Sequence, residues 1–331
     1  MSTTIKEIAK AANVSTATVS RAFSNDVRVK PETKELVLKV ASELNYNPNM
    51  IARFFVKRTT NLVGLILPDI GDEFFSDLIK GVDDTFYDRG FFTLVTSSHK
   101  NRSILESLSG LMSGGLTAGI ILLIPSLSNE LENILNSSKI PIVVISGTSE
   151  LEQYDAISFD NYNASYKMTE FLIKEKGYSK IAHITGPLGN LDAINRLNGF
   201  LDCMKDNGIQ INNDWILEGD YQKRTGANLC ENLLNLDNTP NVIFAANDMM
   251  AIGCYQKIKE RGLNIPDDIA IAGFDDILLA KLVNPALTTV STNVEELGNI
   301  AANILIDRIV GKKGLPVQLK LPAKLIIRES C

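Results

Sequence analysis

Histidine and tryptophan are nearly missing from this chain: His99, His183 and a single tryptophan are all that 331 residues contain. Histidine-based catalysis therefore has little material, and His183, inside the apolar run KIAHITG, reads as a core or strand-end residue. The four cysteines are scattered and form no CxxC, which argues against a zinc site and a disulfide framework. No stretch of eighteen apolar residues is present, so nothing is expected to span a membrane. The opening MSTTIKEIAK lacks the apolar segment of a secretory signal, and a cytoplasmic location with reduced thiols follows as the expectation. GxGxxG after the first strand, GxxxxGK[ST] and HExxH are all absent. The carboxylates offer no pair set apart for glycoside hydrolysis. Neither an enzyme nor a cofactor or metal is expected.

What is present is organised around the first two dozen residues. Thr4 and Glu7 have capping-box spacing, and Ile5, Ile8, Ala9 and Ala12 give an apolar stripe at helical period. Asn13 stands where the chain must reverse, and asparagine tolerates the left-handed conformation. Ser15 then caps a second helix rich in small side chains, Ala17, Thr18 and Ala22 among them, which suits a backbone lying close to something large. The pattern is a helix-turn-helix whose second helix suits the DNA major groove, although these residues alone would also fit an ordinary helical hairpin. Charge tips the balance. Residues 1–60 carry a net +5 and residues 61–331 a net −11, a basic head on an acidic body.

Downstream, Pro31 opens a third helix, with Lys30 at a cap position where it has no acceptor to offer, and with Leu36, Val37, Val40 and Leu44 as its inner face. Residues 45–60 read as a linker. Its helical piece from Asn49 to about Lys57 is too short to be stable alone, so it should order only when bound. From Leu62 onward, apolar strand-like runs alternate with amphipathic helices in two cycles, the pattern of doubly wound parallel sheets. Polar groups gather at the carboxyl ends of those strands, where open α/β sheets bind ligands. Basic groups are scarce there, Arg196 and Lys100 apart, which disfavours a phosphate or polyanion effector.

The ordered series TIKEIAKAANVSTATVSRAF, VKPETKELVLKVASELNYNPNMIARFF, VGLILPDI, ITGP, RLNGF, EGDY, AANDMMAIG, GFDD and NPALTTV resembles the lac-repressor (LacI/GalR) family of bacterial transcription regulators from about Thr3 to Arg328. The resemblance implies an α/β fold class: an all-helical helix-turn-helix head over residues 1–46, a hinge helix over 47–60, and a two-lobed periplasmic-binding-protein-like body over 61–331. Lobe 1 would take about 61–160 and 293–319, and lobe 2 about 163–289 and 324–331.

At the DNA, Thr16 and Ala17 would read base edges, thymine methyls included, and Arg21 would meet a guanine or a phosphate. Thr4, Lys6, Ser15, Thr18, Ser20 and Arg28 are phosphate-contact or capping candidates. In the hinge, Ala52 and Arg53 precede Phe54-Phe55, where relatives carry leucine at the second position. Phe55 is the candidate minor-groove wedge, or else packs onto the body. For the effector the resemblance implies Phe74, Phe75, Asn190, Asp192, Arg196, Tyr221, Asn247 and Asp275, with Asp160 at a lobe crossing. Phe75 falls on the core stripe with Ile79, Val82 and Phe86, and Asn247 and Asp275 could equally be helix caps. The segment GPLGNLDAINRLNGF is more similar to ribose- and pentose-responsive members than to purine-responsive ones. The implied protein is a homodimeric repressor on a palindromic operator, answering to a small sugar. Control by a phosphorylated carrier protein or by a nucleobase, and a sugar-binding transport receptor, are the alternatives.

Overall fold

A computed structural model describes residues 3–23, 27–46, 60–71, 73–98, 103–146 and 152–331. Contacts within the chain divide it into two units, Met1–Thr60 and Asn61–Cys331.

The first unit holds α1 (Ile5–Ala11), α2 (Thr16–Phe23) and α3 (Pro31–Glu43). Its start is set locally: the Thr4 amide and hydroxyl both donate to Glu7 Oε2, at 2.7 and 3.0 Å, and the amide bond holds the Glu7 carboxyl below its usual range. Asn13 makes the turn with φ of 50°. Ser15 Oγ accepts the Thr18 N–H at 3.0 Å and so caps α2, whereas Lys30 offers α3 no side-chain cap. Ile8, Val19 and Val37 are fully buried among Ala9, Ala12, Ala22 and Ala41. The inner face of α3 is rotated from the expected one. Val37 and Ala41 are buried, but Leu36 is 46% and Leu44 38% exposed, because the small alanines of α1 and α2 bring α3 closer along its Val37–Ala41 stripe.

In the second unit, β1 (Leu62–Leu67), β2 (Phe92–Ser97), β3 (Ile120–Leu123), β4 (Ile142–Ile145), β5 (Asp155–Phe159) and β11 (Gln318–Leu321) form one parallel sheet in the order β11-β5-β4-β3-β1-β2. The helices α4 (Glu73–Asp88) and α12 (Val294–Ile309) cover one face, and α5 (Ile104–Met112) and α6 (Asn129–Ser137) the other. The second parallel sheet takes β6 (Ile181–Thr185), β7 (Ile216–Glu218), β8 (Val242–Ala245) and β9 (Ala270–Ala272) in the order β7-β6-β8-β9. It lies between α7 (Asn161–Lys174) with α8 (Leu191–Asp206) on one face and α9 (Lys223–Leu234) with α10 (Asp248–Glu260) on the other. The short α11 (Leu278–Leu282) and an antiparallel pair, β10 (Thr289–Ser291) with β12 (Lys324–Ile326), complete this lobe.

Close helix packing needs glycine here: a Cβ on Gly253 of α10 would stand 2.1 Å from the Lys223 carbonyl oxygen of α9. Strands β5 and β11, DAISF and QLKL, are not continuous apolar runs, because polar side chains interrupt them. In β5, Asp155 is held by the Arg308 guanidinium at 2.7 and 2.8 Å and by the Val317 N–H at 2.8 Å.

His183 is fully buried on β6. Its ring stacks on Phe200 at 4.8 Å, and Nδ1 donates to the Phe244 carbonyl at 2.8 Å. Burial lowers its pKa to about 4, so the folded chain holds it neutral where an unfolded chain, near 6.5, takes up a proton. Stability from this group is present above pH 6.5 and lost as pH falls toward 4. Between pH 7 and 4.5 the protein should lose about 2–3 kcal/mol relative to His183→Phe in paired urea titrations. A pH-independent difference would mean the buried imidazole takes up its proton as readily as in the unfolded chain.

Candidate functional site

A cavity of about 220 Å³ lies between the carboxyl ends of the two sheets. The first lobe lends it an apolar wall: Phe74 and Phe75 from the start of α4, in an edge-on pair 5.3 Å apart, with Leu123, Ile145 and Phe159 at strand ends. The second lobe lends a polar floor centred on Arg196 of α8, which is 6% exposed. Its Nε donates to Asn161 Oδ1 at 2.8 Å, its Nη1 to the Ala246 carbonyl, and its Nη2 stands 3.3 Å from Asp275 Oδ1. Its guanidinium carbon lies 3.7 Å from the centre of the Phe274 ring, a cation–π contact. Asn161 turns its amide nitrogen to Asp192 Oδ1 at 2.8 Å, so one network runs Asp275–Arg196–Asn161–Asp192. Burial pushes the Asp192 carboxyl above its ordinary value, with Arg196 and Asn161 pulling the other way.

Local backbone aims these groups. Asp275 has φ of 112° and Tyr221 φ of 67°, both in the left-handed region that ordinary residues avoid. A Cβ on Gly186 would stand 2.3 Å from Tyr221 Cζ, so only glycine there leaves space for the phenol ring that lines the cavity. Burial raises the Tyr221 pKa, keeping it a neutral hydroxyl. Asn190 and Asn247 both line the cavity and cap helices: Asn190 Oδ1 accepts the Asp192 N–H at 2.8 Å, and Asn247 Oδ1 accepts the Met250 N–H at 3.0 Å. Beneath them Asp248, fully buried, accepts from the Thr289 hydroxyl at 2.6 Å and the Ile277 N–H at 3.0 Å, bracing the loop that carries Asp275. Burial, and then the neighbouring Asp275, raise its carboxyl well above the usual range.

Of the effector residues named from the sequence, Phe74, Phe75, Asn190, Asp192, Arg196, Tyr221, Asn247 and Asp275 all line this cavity. Asp160 does not. Its carboxylate caps α7, accepting the Asn163 amide side chain at 2.6 Å, and stands 3.7 Å from Lys320. The next residue, Asn161, faces the cavity instead. Sequence reasoning passed over Asn161 and Ser158. A clue existed in two asparagines at one helix start, where a single cap would serve. Ser146, at the end of β4, is 3% exposed, lines the cavity, and has no hydrogen-bond partner for its hydroxyl among the described residues. Asp276, next to Asp275, pairs with Arg328.

In the first unit, α2 turns Val19 and Ala22 inward and leaves Thr16, Ala17 and Arg21 exposed, with Ser20 half-buried beside them. Ser15 and Thr18 bond each other at 2.9 Å, and Arg28 is exposed. Thr4 is spent on its cap opposite the Glu7 carboxylate, which would repel a phosphate. Ala52, Arg53 and Phe55 lie outside the described residues.

Comparison with known proteins agrees with this architecture. Residues 4–49 match the family model described as bacterial regulatory proteins, lacI family, and residues 171–331 the periplasmic binding protein-like domain. The HTH-type transcriptional repressor PurR of Pasteurella multocida (strain Pm70) is 31% identical over 328 residues, covering 99% of this chain and 98% of the relative. The chain belongs to the lacI family. It is a DNA-binding transcriptional repressor and not an enzyme. The repressor is also similar to two solved structures. One is the transcriptional regulator CelR–cellobiose complex, with TM-score 0.76 and 28% identity over 99% of this chain and 100% of that one. The other is a LacI family regulator from Enterococcus faecium with bound ribose, with TM-score 0.72 and 27% identity over 81% of this chain and 98% of that one. Among the described residues no helix is long and apolar enough to cross a membrane.

Proposed function

We propose that the repressor answers to a neutral monosaccharide held in this cavity, with ribose the first candidate, and that it binds a palindromic operator as a homodimer. The observation that carries the reading is the pairing of an aromatic wall with a floor of carboxylate, amide and guanidinium groups. Aromatic faces take the C–H face of a sugar ring, while the floor and the Ser146 hydroxyl take its hydroxyls. Arg196 is the one cation among the described lining residues and its charge is already paired with Asp275, so no uncompensated positive charge faces the cavity to balance a phosphate. At about 220 Å³ the cavity is smaller than the roughly 300 Å³ at which drug-sized pockets begin, which suits one sugar ring better than two. The ribose and cellobiose complexes of the two similar regulators support the sugar class. Two-fold symmetry of the protein matches a palindromic site, since one head reaches only a half-site.

Calorimetry of the full chain tests this. Ribose or another free monosaccharide should bind, and its 5- or 6-phosphate at least tenfold more weakly. Asp275→Ala should abolish the sugar response and leave operator affinity within about twofold. Silence toward every pentose and hexose, or sugar binding retained in Asp275→Ala, would refute the assignment. Loss of operator binding in a well-folded Asp275→Ala protein would make the residue structural.

A further inference from the structure

The two lobes are bonded directly to each other at two separate places along the cleft. Glu73, the first residue of α4 in the first lobe, accepts the Leu278 N–H of the second lobe on its Oε1 at 2.7 Å. Leu191, which opens α8 in the second lobe, donates its N–H to the Pro125 carbonyl of the first lobe at 3.0 Å. The first bond joins segments that follow β1 and β9; the second joins segments that follow β3 and β6. Both donors are first residues of helices, where an N–H has no partner within the helix. Ile277, which precedes Leu278, offers no side-chain cap, so the acceptor there comes from across the cleft. None of these four residues lines the cavity.

From this geometry we infer that Glu73 and Pro125 form a two-point clasp that favours the closed cleft independently of what the cavity contains, with Glu73 as its side-chain half. The clasp adds the same closing free energy for every effector. It therefore sets the open–closed balance on which effector affinity and release depend, while the cavity residues set selectivity. The inference rests on the two bonds and not on the sugar assignment.

Amide hydrogen exchange of the full-length chain reads the clasp directly, without any ligand. Glu73→Ala should speed exchange at Leu278 and, with it, at Leu191, each by about three- to tenfold. Asp77→Ala, the same charge loss one turn further along α4, should change neither. Glu73→Gln, which keeps an acceptor oxygen, should hold both amides near wild type. Faster exchange at Leu278 alone would reduce Glu73 to a local cap and overturn the clasp, as would no change at either amide. If Glu73→Ala also loosened β8, Glu73→Gln would decide: failure to restore both amides overturns the inference.

Discussion

Raising the salt from about 50 to 200 mM should weaken operator binding by roughly a thousandfold, the slope expected when a dimer makes about six phosphate contacts. The chain's formal charge of −6 would suggest the opposite, repulsion from DNA. The charge, however, is partitioned: residues 1–60 carry +5, and Lys6, Lys10, Arg21, Arg28 and Lys30 are all exposed. Three such contacts in each head would suffice. Anisotropy of a labelled duplex across a salt series measures the slope, and a change below about tenfold would mean the head is not held by phosphates. Arg21→Ala separates the two roles open to that side chain. A base contact should cost about 1–3 kcal/mol and relax specificity at one position of each half-site with the salt slope kept, whereas a phosphate contact should lower the slope by about one per head.

Arg196→Ala should be the most destabilising single change among the cavity residues, at about 3–5 kcal/mol. The side chain is 6% exposed, and its removal takes away the guanidinium that bonds the Asn161 amide oxygen and the Ala246 carbonyl and pairs with the Asp275 carboxylate. Domains commonly have only about 5–15 kcal/mol of stability, so the loss would be a large share of the total. The single tryptophan, Trp215, is buried in the same lobe with its Nε1–H on the Asn238 carbonyl at 3.0 Å, and its fluorescence in a urea titration reports that lobe's unfolding. Adding Asp275→Asn to Arg196→Ala should recover part of the loss by removing the carboxylate that faces the lost guanidinium. Arg196→Lys should not rescue, because an ammonium cannot serve three acceptors in the fixed directions of a guanidinium nor lie flat on Phe274. A cost under about 1 kcal/mol would show that water replaces the guanidinium without penalty.

Legibility in the sequence followed the range of the interactions concerned. The first turn of α1, the left-handed Asn13, the Ser15 cap and Pro31 at the start of α3 each depend on residues within four positions of one another. The Asp155 strand has no apolar run to mark it, because Asp155 takes its partners, Arg308 and Val317, from more than 150 positions away. Asp160 and Asn161 are a similar case. Both are short polar residues at one helix start, and which of them faces the cavity depends on Asp192 and Arg196, more than 30 positions on.

The sequence by itself determined the kind of molecule: a basic helical head on an acidic body of alternating strands and helices, with aromatic, amide and carboxylate groups at the strand ends. Periodicity, capping and charge are carried along the chain and need no partner to be read. Only the tertiary structure decided which of those polar groups meet around Arg196, and which residues bridge the cleft from outside the cavity. Those outcomes depend on side chains and amides brought together across two sheets, where a one-residue rotation exchanges a place at the cavity for a helix cap.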